Sequence, residues 1–171
     1  MRWKRFSWDL NKLPDSGPPL AERYTLRPAH AEDHKTVAHL IYSSFSLDSE
    51  WGDALGLIKD WLVAQVDAAF VREPVPAVVI SHGSRIIAAS AISTDDAADT
   101  NLISGPCVLI EYRSRGIGTA LLYHTLQQLR QCGLAHVHGI VKDNVPAGKF
   151  VYPKFESTYH EIEFEPRFVG T

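Results

Sequence analysis

The sequence predicts an α+β fold with one mixed, mostly antiparallel sheet of six or seven strands and about four helices. Three observations support this prediction. Short apolar runs rich in β-branched residues are bounded by turns across 77–93 and 135–141, as in strands. Apolar residues recur at helical spacing across 31–45 and 48–70. Residues 107–133 have the pattern of a strand, a tight glycine loop and a helix.

Length and composition suit a single folded domain in the cytoplasm. The chain has 171 residues, and 45% of them are hydrophobic. A net charge of −3 provides no broad basic surface for nucleic acid, and no apolar run is long enough to cross a bilayer. The basic N-terminus lacks the apolar core of a signal peptide, and the two cysteines, Cys107 and Cys132, suit a reducing compartment. His136 and His138 alternate on one strand without a third ligand, so no metal site is predicted.

Residues 1–23 are predicted to form an extension that precedes one domain spanning 24–171. The extension carries Trp3, Phe6 and Trp8, followed by a proline- and glycine-rich stretch typical of a linker or extended arm. We expect the aromatic side chains to pack as a docked tail, either on this domain or across a dimer.

The first half of the domain contains three strands and two helices. The strands are predicted at 24–27, 77–81 and 86–93, and the helices at 31–45 and 48–70. His82-Gly83-Ser84-Arg85 has the composition of a hairpin turn between the second and third strands. The third strand is apolar on both faces, which places it centrally in the sheet.

The second half begins with a predicted strand at 101–109, in which Gly105 and Pro106 indicate a bulge or a splay. The glycine loop and a helix ending at Gly133 follow, then a strand at 135–141 and a short helix. A closing strand at 157–164 is expected to pair with the strand at 135–141. Residues 167–171 are predicted to be a tail.

The glycine loop predicts a phosphate site. Arg113, Gly116 and Gly118 form Arg-x-x-Gly-x-Gly directly before the helix. Glycine there permits positive φ and a close approach to a ligand. The loop amides would be unpaired at the positive end of the helix dipole, where phosphate or pyrophosphate binds, and Arg113 and Arg115 add forked donors. The predicted ligand contacts are Arg113, Ser114, Arg115, Gly116, Ile117, Gly118 and Thr119.

Two other phosphate-binding motifs fit this loop less well. A Rossmann fingerprint requires a third glycine where this chain has Leu121, and a P-loop requires a Gly-Lys-Ser/Thr sequence that is not present. A turn that merely joins a strand to a helix is the remaining alternative.

Residues 100–156 resemble the GNAT superfamily of acyl-CoA-dependent N-acyltransferases. The family's pyrophosphate loop is Gln/Arg-x-x-Gly-x-Gly/Ala, after a strand and before a long helix, which the loop here matches. The resemblance is plausible over 24–99 and absent over 1–23. It implies a GNAT-like α/β/α layered fold, with acetyl-CoA or another acyl-CoA as the co-substrate.

The resemblance also implies contacts outside the loop. In the family, the strand before the loop splays from its neighbour and the pantetheine arm pairs with it, which here involves Cys107, Val108 and Leu109. Asn144 and Ala147 match the family's Asn-x-x-Ala signature. The tyrosine that follows this signature comes one residue late, at Tyr152, and Pro153 then interrupts the helix. This is the largest departure from the family pattern.

The reaction implied is direct attack of a neutral primary amine on the thioester in a ternary complex. A backbone amide near Leu109 is the expected oxyanion donor, and Tyr152 is the candidate acid that protonates the leaving thiolate. Because the family transfers the acyl group directly, Cys107 is expected to pack and not to form an acyl intermediate. The candidates for the general base are Asp95, Asp96 and His138, while Glu111 is expected to lie too close to the pyrophosphate loop.

The acceptor is expected to be an amine of a small molecule or a peptide, and a homodimer is compatible with the family. Trp51, Trp61 and Phe70 are candidates to line its pocket, as are the aromatic residues of 1–23, with core packing as the alternative for each. Asp95, Asp96 and Asp99 could attract a cationic amine, or simply form a solvated loop. Two other functions remain: a non-catalytic acyl-CoA-binding sensor or partner subunit, and a Rossmann-type domain that binds NAD.

Overall fold

A computed structural model of the chain describes residues 2–164, apart from the side chain of Asp53. The predicted α+β fold is confirmed. Within the described residues the α-helices are α1 (His34–Leu47), α2 (Gly52–Phe70) and α3 (Ile117–Gln131). The strands are β1 (Trp3–Asp9), β2 (Tyr24–Pro28), β3 (Ala77–His82), β4 (Arg85–Ala91), β5 (Cys107–Val108), β6 (His136–Lys142) and β7 (Thr158–Ile162).

The strands form two antiparallel sheets instead of the single sheet expected. The larger sheet has the order β2-β3-β4-β5, with β3 and β4 in its interior, and the apolar sequence of β4 predicted its central position. Helices cover both of its faces: Val37 and Ile41 of α1 pack in one apolar core, and Ile117 and Leu121 of α3 pack in a second. The result is the predicted arrangement of helix, sheet and helix.

The smaller sheet changes our interpretation of the N-terminus. Its order is β6-β1-β7, so the segment expected to dock as a tail is the central strand of a sheet. Phe6 pairs with Gly139 on one side and Tyr159 on the other. Trp3, Phe6 and Trp8 are each less than 5% exposed, which confirms that the aromatic side chains pack on this domain.

The central position of β1 also corrects the predicted pairing of the last strand. The strand expected at 157–164 is β7, and it pairs with β1 instead of the preceding strand β6. Since β1 occupies the edge of β6 that β7 would need, direct pairing between β6 and β7 is blocked.

The strand predicted at 101–109 is mostly irregular. Only Cys107–Val108 pairs with β4 as a strand, and Leu102 makes an isolated bridge to Ile92. Gly105 has φ +62°, a left-handed conformation that ends a regular ladder. Across residues 2–164, no α-helix has the length and apolar character needed to cross a membrane.

Candidate functional site

A cavity of about 400 Å³ lies where the two sheets diverge. Cys107 and Val108 of β5 line one side, and Ile140 and Val141 of β6 line the other. Because β5 and β6 belong to different sheets, their facing edges are not joined by a ladder of hydrogen bonds. The gap can therefore admit an extended ligand between the strands. One end of the cavity is the glycine loop and the other is a cluster of aromatic rings.

The glycine loop has the backbone conformation of an anion site. A 3₁₀ turn follows β5, and α3 begins at Ile117, directly after Gly116 with φ +78°. The first α-helical hydrogen bond runs from the Ala120 N–H to the Gly116 carbonyl. The N–H groups of Ile117, Gly118 and Thr119 precede it and have no intrahelical acceptor. All three residues line the cavity, so its loop end carries the positive end of the helix dipole.

The two arginines of the loop point to different places. The Arg113 guanidinium donates from Nε to the Val108 carbonyl and from Nη2 to the Ser44 carbonyl, both at 3.3 Å. It also lies 3.8 Å from the Asp48 carboxylate. Arg113 therefore ties the end of α1 to β5, while the exposed Arg115 lies over the Tyr112 ring. Two of the Arg113 donors are thus used within the protein, although this residue still lines the cavity, whereas the Arg115 guanidinium faces outward.

Strand β5 presents Val108, not Leu109, to the cavity. The Leu109 N–H donates to the Ile87 carbonyl at 2.9 Å, and Leu109 does not line the cavity. Its own amide is therefore not free to serve as the expected oxyanion donor. Along a strand of an antiparallel ladder, the residue next to one that is bonded to the partner strand directs its N–H and C=O away from that strand. That residue is Val108, whose amide becomes the better candidate.

Cys107 is a buried thiol on the same strand. Burial raises its pKa to about 12, and its Sγ lies 3.7 Å from the Ser104 carbonyl. The group is therefore protonated across the physiological range and is a weak nucleophile. This agrees with the expectation that Cys107 packs and does not carry an acyl group.

We predict that Cys107 resists alkylation at pH 8 in the folded protein, while the exposed Cys132 reacts. Mass spectrometry after iodoacetamide treatment should show one modified site, and two after unfolding. The unfolded chain releases the Cys107 proton at lower pH than the folded chain, so this thiol contributes stability below the ordinary thiol pKa and loses it as the pH rises toward 12. Rapid labelling of Cys107 without unfolding would contradict the burial argument.

A π-helical turn accounts for the one-residue offset of Tyr152. The turn spans Ala147–Val151, and the Tyr152 N–H donates to the Ala147 carbonyl five residues earlier, at 2.9 Å. A π turn holds one more residue than an α-helical turn of the same rise. The additional residue rotates Tyr152 inward, and both Ala147 and Tyr152 line the cavity. Asn144 does not line it, and its N–H is bonded to the Asp143 carboxylate.

The Tyr152 ring is fixed by aromatic packing. It meets Phe6 and Trp8 edge to face, with ring centroids 5.5 and 5.9 Å away. Burial, followed by the nearby Cys107, raises the pKa of its hydroxyl above the ordinary value. The phenol therefore keeps its proton at neutral pH, which a general acid requires.

The absence of a side chain at Gly105 makes room for the Tyr152 hydroxyl. A Cβ atom built on Gly105 would lie 2.0 Å from Oη of Tyr152. We predict that Gly105→Ala destabilises the fold more than Gly83→Ala. Both glycines have φ near +60°, but a Cβ at Gly83 has no neighbour within 4 Å. Gly83→Ala should cost about 1–2 kcal/mol from backbone strain alone.

Urea unfolding of the two alanine variants measures this difference. Tyr152→Phe removes Oη, so adding it to Gly105→Ala should restore part of the additional loss. Equal losses for Gly105→Ala and Gly83→Ala would contradict the proposed contact.

None of the three predicted base candidates lines the cavity, and neither does Glu111. His138 lies on β6 with Nδ1 2.7 Å from the Ser7 hydroxyl, and its pKa is lowered, first by burial and then by Arg5. The Asp95 carboxylate accepts from the Ala97 N–H within its own loop. Asp96 and Glu111 are exposed. Among the described residues, no group of three potential ligands is arranged to hold a metal ion.

The end of the cavity away from the loop is aromatic. Trp3 contacts Trp51 and Phe164, with ring centroids 6.0 and 5.3 Å apart, and Trp61 meets Phe164 at 5.7 Å. Three residues were proposed to line a substrate pocket. Two of them, Trp51 and Trp61, line the cavity. The third, Phe70, does not line it and stacks on His34.

Three further aromatic residues, Trp3, Phe45 and Phe164, line the same end of the cavity. Trp3 was expected in a docked tail, with a pocket wall as the alternative, and it lines the cavity from the buried strand β1. Phe45, near the end of α1, also lines the cavity. Phe164, in the predicted closing strand, completes the cluster.

The chain is similar to known acetyltransferases in sequence and in fold. The model of the acetyltransferase (GNAT) family matches residues 35–154. A GNAT-family acetyltransferase from Colwellia psychrerythraea superposes with a TM-score of 0.63 at 15% identity, over 97% of this chain and 56% of that one. A GCN5-related N-acetyltransferase from Sphaerobacter thermophilus gives 0.62 at 15% identity, over 94% and 49%.

A third solved structure, of a Drosophila protein, gives a TM-score of 0.61 at 15% identity, over 94% of this chain and 50% of that chain. The chain thus spans about half the length of the solved structures it matches. At these identities the structural likeness shows the fold alone. No protein with a curated description matches the sequence.

Proposed function

The chain belongs to the acetyltransferase (GNAT) family, and on that premise we propose that it transfers an acyl group from an acyl-CoA, preferably acetyl-CoA, to an amine. The observation that carries the proposal is one continuous cavity. It begins at the free amides of Ile117 and Gly118, passes the outward edge of β5 at Val108, and ends among aromatic rings.

The residues present fit acyl-CoA. The loop amides and the helix dipole suit its pyrophosphate. The open edge of β5 can pair with the amides of its pantetheine arm. When bound there, acyl-CoA supplies a thioester whose carbonyl carbon accepts the amine. The chain's own contribution is to hold both reactants in place and exclude water.

Two groups of the chain have proposed chemical roles. The Val108 N–H, directed away from β4, is the proposed donor to the carbonyl oxygen as negative charge develops on it. The Tyr152 hydroxyl, held by Phe6 and Trp8, is the proposed proton donor to the departing thiolate, and the phenolate that results takes up the proton that the amine nitrogen loses.

The aromatic end supports an acceptor with an apolar group beside its amine. Trp3, Trp51 and Trp61 offer broad faces for apolar contact. Transfer of an amine from water into such surroundings lowers its pKa and favours the neutral, nucleophilic form. The proposed acceptor is thus an arylalkyl or alkyl amine, free or at the end of a peptide.

The test is release of free CoA from acetyl-CoA in the presence of an amine panel. Phenethylamine and isoamylamine should be acetylated faster than ethanolamine, and a mass increase of the amine should accompany thiol release. Tyr152→Phe should lower kcat by about 10²-fold or more with little change in acetyl-CoA binding. Binding without turnover for every amine would instead support the alternative of a non-catalytic acyl-CoA sensor or partner subunit.

A further inference from the structure

Three arginines converge beside the glycine loop, outside the cavity. Arg23 precedes β2, Arg85 begins β4, and Arg115 lies in the loop itself. They surround two tyrosines, Tyr24 at the start of β2 and Tyr112 before the loop. We refer to Arg23, Arg85 and Arg115, together with these two tyrosines, as the arginine patch.

The patch is compact. The Tyr24 and Tyr112 rings lie 6.1 Å apart. The Arg23 guanidinium carbon is 4.8 Å from the Tyr24 ring centre, and those of Arg115 and Arg85 are 5.4 and 6.0 Å from the Tyr112 ring centre. Three positive charges are thus brought together on one face by stacking on two adjacent rings.

This positive charge is only weakly neutralised by the described residues. Among the described residues, the patch takes part in one ion pair. It joins Arg85 to Glu111 at 3.9 Å, and both side chains are more than half exposed. Such an exposed contact contributes little. The pKa of the Tyr24 phenol is lowered first by the adjacent Arg23 side chain and more weakly by Arg115, so both guanidinium groups lie near its oxygen. The chain as a whole has a net charge of −3, so the patch is a local exception.

A buried hydroxyl in the patch lacks a partner. Tyr24 is 8% exposed, and its Oη is enclosed without a hydrogen bond in proper geometry. A buried polar group in this state costs free energy until a partner or a rearranged neighbour satisfies it. A bound anion that reorients the Arg23 or Arg115 side chain would give the Tyr24 hydroxyl a hydrogen-bond partner.

The position of the patch indicates its ligand, provided that the proposed function holds. Tyr112 lines the cavity and also carries two of the guanidinium groups, so the patch begins where the cavity ends. An acyl-CoA with its acyl end among the aromatic rings and its pyrophosphate on the loop has its ribose beyond the loop. That ribose carries a phosphate at the 3′ position. A phosphate is the group that forked guanidinium donors bind best.

We propose that the arginine patch binds the 3′-phosphate of CoA. Arg23 and Arg85 come from outside the glycine loop, so they can distinguish CoA from the same molecule without this phosphate. Arg115 belongs to both the patch and the loop.

The test compares CoA with 3′-dephospho-CoA, which differs only by that phosphate. Calorimetric titration of the wild-type chain should give a dissociation constant about tenfold or more lower for CoA, the effect of one charge-assisted hydrogen bond. In Arg23→Ala/Arg85→Ala, CoA should bind only as tightly as 3′-dephospho-CoA, whose own affinity should not change. Arg115 is left intact because changes there would also affect the pyrophosphate.

The matched control is Arg72→Ala, an exposed arginine at the end of α2, which should keep the wild-type preference. Thermal unfolding of each variant shows that it is folded. Equal binding of the two ligands by the wild type would overturn this inference and leave the CoA site intact. A preference that survives in the double variant would also overturn it. Failure of both ligands to bind the wild type would overturn the proposed function as well.

Discussion

Gly118→Trp should abolish the stabilisation that we expect from acetyl-CoA, because the indole would occupy the loop end of the cavity. A Cβ atom built on Gly118 lies 3.7 Å from Val151 and 3.8 Å from Val108, so the larger side chain must extend into the space between α3 and β5. At 100 times its dissociation constant, acetyl-CoA should add about 2.7 kcal/mol to the free energy of unfolding of the wild type. That corresponds to about 5–10 °C in melting temperature for a chain of this size.

Thermal unfolding with and without acetyl-CoA measures the effect. Gly56→Trp is the matched control, since this glycine is exposed on α2 and a Cβ there has no neighbour within 4 Å. It should respond to acetyl-CoA as the wild type does. An undiminished response of Gly118→Trp would show that the ligand binds away from this loop.

Trp8→Ala should lower the free energy of unfolding by about 3–5 kcal/mol, the cost of removing a large buried aromatic side chain. Trp8 is 2% exposed, and its indole N–H donates to the Lys154 carbonyl at 2.9 Å. It stacks with Phe6 and also supports Tyr152, so the loss should extend to the position of the proposed general acid.

Urea unfolding of Trp8→Ala measures this effect, with Val71→Ala as the control. Val71 is 84% exposed, and its replacement should change stability by no more than about 0.5 kcal/mol. A loss for Trp8→Ala as small as that of Val71→Ala would mean that the N-terminal segment is a dispensable tail, contrary to its position in the smaller sheet.

Local patterns in the sequence predicted the elements that depend on near neighbours. The hairpin between β3 and β4 follows from its turn residues and flanking apolar runs. Helix α3 follows from the glycine loop before it and from apolar spacing, and its predicted core residues, such as Leu122 and Leu126, are buried. Gly116 has the positive φ that the loop motif predicted.

Strand β1 was missed because its signal is not local. Its buried residues are Trp3, Phe6 and Trp8, so the spacing departs from strict alternation, and Lys4 and Arg5 conceal its apolar character. Its partners lie more than 120 residues away in the sequence. Local patterns cannot rank pairings at that separation.

The site residues also divide into those that local patterns predicted and those whose placement depends on the folded structure. The sequence located the loop and the tyrosine, but it could not predict that a π-helical turn brings Tyr152 to the cavity, because one hydrogen bond to Ala147 decides it. Nor could it predict that Leu109 is bonded to Ile87, which leaves Val108 facing the cavity. The first detail depends on a shift of one residue within a single helical turn, and the second depends on the register of one strand against another.

The most direct test of the central claim is a calorimetric titration of the wild-type chain with acetyl-CoA, with NAD and ATP titrated separately. The account predicts one acetyl-CoA site per chain, with no comparable binding of NAD or ATP, because the cavity joins a phosphate-binding loop to an open strand edge and an aromatic pocket. The absence of acetyl-CoA binding, or binding of NAD in its place, would contradict it.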